Sequence, residues 1–140
     1  MFKELAARCD VIEECYEYML AFAGQGLACV ESAGQGGMIR DFLGRAAHAL
    51  AGLEKAYASA IEERGFHGGP YIAFQAVLAR DARDSLAAVE MVLAQATISS
   101  QLIDNLNASI HVRALLTDLF LIDEILKTQL SVKNSDDGVG

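Results

Sequence analysis

LIDNLNASIHVRALLTDLFLIDEIL, residues 102–126, is the stretch whose reading decides how this chain folds. Leu102, Ile103, Leu106 and Ile110 share one face of a helix. Beyond His111, at about 100° per residue, Leu115, Leu116, Leu119 and Ile122 fall on the opposite side, and Phe120, Leu121 and Ile125 fill much of what remains. A helix that is apolar on almost every side must be buried on almost every side, so the spacing predicts a helix that bends near His111 or is packed from two directions. Thr97, Ser99 and Ser100 precede it as N-capping hydroxyls, and Asp104 stands in its first turn, where it meets the positive end of the helix dipole.

Three amphipathic helices come before it. Leu5, Cys9, Ile12, Tyr16, Met19, Leu20 and Ala23 recur at three- and four-residue spacing and predict a helix from Phe2 to Ala23. The Gly-rich GQGLACVESAGQGG of residues 24–37 follows as a connector. Ile39, Phe42, Leu43, Ala46, Leu50, Leu53, Tyr57 and Ile61 predict a second helix over 38–64 with Gly65 as its C-cap. Pro70 suits the first turn of a third helix, because its missing N–H has no intrahelical partner there. That helix runs to Ala94 and buries Tyr71, Phe74, Leu78, Ala82, Leu86, Val89 and Leu93. The expected architecture is all-α, an antiparallel up-down four-helix bundle. It forms a single domain over residues 1–130, with a flexible tail at 131–140 that lacks periodicity.

Composition narrows the function. A chain of 140 residues is long enough to bury a core without disulfides or a structural metal. With a net charge of -8 and its eleven Lys and Arg scattered singly, it is not expected to bind nucleic acid or an anionic membrane surface. Asp118 and Asp123 interrupt the most apolar segment before it reaches the ~20 residues of a membrane span. The charged opening MFKELAARCDVIEEC has no secretory signal core, so a cytoplasmic location is expected. Cys9, Cys15 and Cys29 form no CxxC pair, which argues for reduced thiols over a disulfide framework or zinc site.

Enzyme chemistry finds little support. Di-metal bundles need Glu-x-x-His, but Arg45, Arg64 and Ala108 stand three residues before His48, His67 and His111, so no metal or cofactor is expected. Asp10, Glu13, Glu14 and Glu17 lie away from Leu5 and Ile12 and read as a solvated helix face. Ser32 and Ser59 have no nucleophile-elbow context, and no catalytic residues are assigned.

His48 is the exception. It points about 180° from Ile39 and Tyr57, and its same-face neighbours Gly44, Ala51 and Gly52 are small, which leaves the imidazole open to a docking protein. The segment RAAHALAGL, residues 45–53, resembles the phosphoacceptor motif of histidine phosphotransfer domains, with His48 and Gly52 in the places of the phosphorylated histidine and the glycine after it. The resemblance implies that His48 is a phosphoacceptor; the family's lysine is replaced by Ala51.

The leading expectation is a non-enzymatic protein that acts by protein–protein binding, as an adaptor or chaperone does. It is expected to form a homodimer or engage a partner protein through Leu115, Leu116, Leu119, Ile122 and Leu126, because several exposed leucines would favour aggregation. Small, acidic and helical, the chain resembles many secretion and flagellar export chaperones in composition. Two alternatives stand beside it: phosphotransfer through His48, and a small-ligand pocket among Tyr16, Phe42, Tyr57, Phe74 and Phe120.

Overall fold

A computed structural model describes residues 2–24, 35–66 and 68–139, with side chains over 2–24, 37–66 and 68–128. The described residues form six α-helices and no strand: α1 (Phe2–Gly24), α2 (Gln35–Ala51), α3 (Leu53–Arg64), α4 (Gly69–Leu93), α5 (Ser100–Ala108) and α6 (Ile110–Val139). The all-α class holds. Two of the four expected helices are each interrupted once, which makes six.

The first interruption is at Gly52, with φ -106° and ψ 4°. Arg8, on α1, donates through Nη1 to the carbonyls of His48 and Ala49 at 3.0 and 3.2 Å. In an unbroken helix those carbonyls receive the N–H groups of Gly52 and Leu53. A Cβ at residue 52 would collide with Arg8 Cζ, so the guanidinium reaches the carbonyls only because residue 52 is glycine.

The second interruption is at Ser109, whose extended backbone (φ -63°, ψ 141°) ends α5. Ser109 then starts α6: its Oγ accepts from Val112 N–H at 3.3 Å and its carbonyl from Arg113 N–H at 3.1 Å. This break accounts for the two apolar faces of residues 102–126. It re-aims the chain so that Ile103 and Leu106 on α5 and Leu115, Leu116, Leu119 and Ile122 on α6 all enter one core. The five residues expected at a protein interface are therefore core residues of the single chain, all at most 7% exposed.

Other sequence signals are realised as read. Ser99 caps α5 by accepting from Leu102 N–H, Gly65 ends α3 in the left-handed conformation at φ 74°, and Pro70 sits in the first turn of α4. On α1 the buried stripe is Leu5, Ile12, Cys15, Met19 and Phe22, while Leu20 is exposed. The backbone of α6 continues through residues 131–139, the segment read as a tail.

Within this framework α1 packs on α2, α3 and α5, and α4 packs on α2, α3 and α6. Helices α1 and α2 run antiparallel: Arg8 meets the His48 carbonyl at one end, and the rings of Tyr18 and Phe42 stack at 4.3 Å at the other. Helices α4 and α6 are antiparallel too, with Ser85 Oγ donating to the His111 carbonyl at 2.9 Å. Arg40 ties α2 to the end of α4, donating to the carbonyls of Leu93, Gln95 and Ala96. Among the described residues no helix is long and apolar enough to cross a membrane.

Candidate functional site

Among the described residues three places bear on function. The first is an apolar cleft at the α3–α4 connection, where Pro70 and the start of α4 meet α6. Its volume is about 270 Å3, and Tyr57, Ile61, Pro70, Tyr71, Phe74, Leu121, Ile122, Ile125 and Leu126 line it without a charged residue. Tyr57 spends its hydroxyl on the Tyr71 carbonyl at 2.9 Å, so the wall offers little polarity. On α6 Phe120, Leu121 and Ile125 stand 56%, 48% and 44% exposed, and the last two form the α6 wall of the cleft.

The aromatic residues expected around a ligand pocket are divided by the fold. Tyr57 and Phe74 meet edge to face in the cleft wall. Phe42 instead stacks between Tyr18 and the Arg45 guanidinium, Tyr16 packs against the core, and Phe120 faces solvent. Tyr71 completes the cleft wall, although the helical period marked it only as core.

The second place is a groove between α1 and α2, lined by Glu4, Arg8, Arg40, Asp41, Arg45 and His48 among others. His48 is exposed, as its helical position requires. The space around Gly44 one turn earlier is open, whereas the face of Gly52 is covered by the Arg8 guanidinium. Arg8 is also held by Glu4 at 3.1 Å, and Arg45 lies 3.4 Å from Asp41. The groove is thus lined by three arginines and an imidazole together with the carboxylates of Glu4 and Asp41, and the Arg40 guanidinium is spent on the end of α4. Arg8 was not legible as part of it, because it comes from another helix forty residues away.

The third place is a carboxyl pair. Asp118 is buried on α6, and its Oδ2 has no hydrogen-bond partner. Burial first, and then the Asp81 carboxyl on α4, push Asp118 up from the ordinary carboxyl range to about 7.

The remaining reactive groups are quiet. Burial pushes the thiols of Cys9 and Cys15 up to about 12, in Cys9 with help from Glu13, Asp10 and Asp123. Both are thiols, not thiolates, at neutral pH. Glu13 is only half exposed, not on a fully solvated face, and burial followed by Asp10, Asp123 and Glu17 raises it. His111 Nδ1 lies 4.0 Å from Asp84 Oδ2. Among the described residues no group of three or more His, Cys, Asp or Glu is arranged to hold a metal ion. Cys29, Ser32, His67 and most of the Gly-rich connector lie outside the described residues.

Compared with known proteins, the chain matches no family model, no curated relative and no solved structure.

Proposed function

We propose that the chain is a helical-bundle protein that works by binding another protein chain, as an adaptor or chaperone does, and that it pairs with a second copy of itself. In this reading α2 with α3 and α5 with α6 act as two bent legs, so that six helices build the four legs of a bundle. The observation that carries it is an uncharged cleft whose α6 wall, Leu121 and Ile125, is large, apolar and nearly half exposed. In a two-fold pair the same wall of each copy would be covered by the other, which removes both from water. Two chains of charge -8 repel at long range, so pairing strengthens as salt screens them.

The test is Leu121→Glu/Ile125→Glu, two exposed positions whose change leaves the core alone. Light scattering during size exclusion is expected to give twice the chain mass for the parent and the single mass for the variant. A monomeric parent, or a variant of unchanged mass, refutes the proposal. Native mass spectrometry separates the competing occupant of the cleft, a small apolar molecule, which would add its own mass to a single chain.

A second reading makes His48 a phosphoacceptor. The family that RAAHALAGL resembles has a lysine where Ala51 stands, and here Arg8 and Arg45 bring guanidinium charge into the groove that His48 lines. To hold a dianionic phosphoryl group on the imidazole, these guanidinium groups would exchange their present carboxylate partners, Glu4 and Asp41, for it. With phosphoramidate as donor, the phosphoryl group moves from the donor nitrogen to an imidazole nitrogen and ammonia leaves. An acid-labile gain of one phosphoryl mass is expected, absent in His48→Ala. No gain, or a gain that survives the substitution, refutes it.

A further inference from the structure

We propose that Asp81 and Asp118 form a proton clasp across the α4–α6 seam: one shared proton holds the helices together, and its loss places two negative charges face to face and loosens the seam beside the apolar cleft.

Asp118 sits at a position of α6 that the fold buries, 6% exposed, in the same helix face region as the core residues Leu115 and Ile122. Its Oδ2 meets no donor, and the side chain that acts on it from α4 is a second carboxyl, Asp81. Two carboxylates present only acceptors, whereas a carboxylic acid beside a carboxylate supplies the missing donor. The proton is therefore part of the packing.

Burial and Asp81 are the influences on Asp118, and no cation is among them. On α4, Arg80 and Arg83 are exposed, and Asp84 is turned to His111. Asp104, the one charged residue of α5, is exposed. On the α1 side of α6, Asp10 and Glu13 gather with Asp123 and Lys127 around a separate pocket. Asp118 stands three residues before Leu121 and four before Ile122, both in the cleft wall, and Asp81 stands seven after Phe74 in the opposite wall. Loosening at the pair therefore reaches the cleft within one to two helical turns.

The sign follows from linkage. The folded chain keeps a proton that an unfolded Asp releases in the ordinary carboxyl range, so the contribution is complete in acid and is lost as pH rises through about 7. Urea midpoints of the full chain are measured from pH 5 to 8, with Asp118→Asn, Asp81→Asn and, as a control for the other raised carboxyl, Glu13→Gln. The amide introduced by Asp118→Asn can donate to Asp81 at every pH. The parent midpoint is expected to fall with rising pH and level off above 7, Glu13→Gln to keep that fall, and Asp118→Asn to remove it. A carbon-13 titration of the Asp118 carboxyl in the parent reads the same proton without substitution and decides the matter if both Asn variants fail to fold. A parent with a flat midpoint, a slope that persists in both Asn variants, or an Asp118 carboxyl that titrates below pH 5 overturns the proposal. So does restoration of the midpoint at pH 8 by millimolar magnesium or calcium, which would make the pair a cation site.

Discussion

Replacing Gly52 with alanine should destabilise the parent chain and stabilise a chain that lacks Arg8. The new Cβ would collide with Arg8 Cζ and stand 2.6 Å from both terminal nitrogens, so the guanidinium must leave. It then gives up two charge-assisted bonds, to the carbonyls of His48 and Ala49. Hydrogen bonds to charged groups contribute about 1.5–3 kcal/mol each when both ends are well shielded. Arg8 keeps 20% of its side-chain exposure, which favours the lower end and a combined loss of about 2–3 kcal/mol. Against this, alanine gains about 1 kcal/mol over glycine in a helix. The net expectation for Gly52→Ala is a loss of about 1–2 kcal/mol. In Arg8→Ala the clash is gone and only the helix gain remains, so the same substitution changes sign. Urea unfolding of the four chains of this double-mutant cycle measures a coupling of about 2–3 kcal/mol. If Gly52→Ala has the same effect in both backgrounds, Arg8 does not cause the break between α2 and α3.

Arg40→Ala removes three bonds to the end of α4 and is expected to cost about 2–3 kcal/mol, lowering the unfolding temperature by roughly 6–12 °C in calorimetry. Arg40→Lys should recover little of this, since a single ammonium does not span three carbonyls as a planar guanidinium does. Ser109→Ala loses the cap at the start of α6 and should cost about 1 kcal/mol by urea titration, whereas Ser109→Asp should not. At pH 8 Cys9 and Cys15 should alkylate far more slowly in the native chain than in urea, as intact mass against time will report; equal rates would contradict their burial.

The fold class was legible because the apolar spacing of Ile39 to Ile61 and of Leu78 to Val89 needs no tertiary knowledge. Ser99, Gly65 and Pro70 marked their helix ends for the same reason, since each acts on backbone within a few residues. The break at Gly52 was not legible: its cause is an arginine from another helix, and without Arg8 the segment reads as one continuous helix. The break at Ser109 left a trace in the switch of faces at His111, and Ser109 itself was available as a cap. A bend near His111 and packing from two directions were both open from the spacing, and the second of these put Leu115, Leu116, Leu119, Ile122 and Leu126 at an interface. The exposure of His48 followed from its helical phase, but the company of Arg8 did not. Asp118 carried a signal that was used only to argue against a membrane span: an aspartate flanked by Leu115, Leu116, Leu119 and Ile122 has nowhere to go but inward.

Ser109 also divides the chain's cooperativity. A nine-residue helix such as α5 is too short to persist in water alone, so its amides are protected only while it is docked. It docks chiefly on α1, whereas α6 docks chiefly on α4. With no helical hydrogen-bond ladder running unbroken through residue 109, α5 is free to detach as a small opening unit while α6 stays in place. Hydrogen exchange in Ile103 and Leu106 should then report a lower opening free energy than in Leu115 and Leu119, a boundary between two foldons set by a single serine.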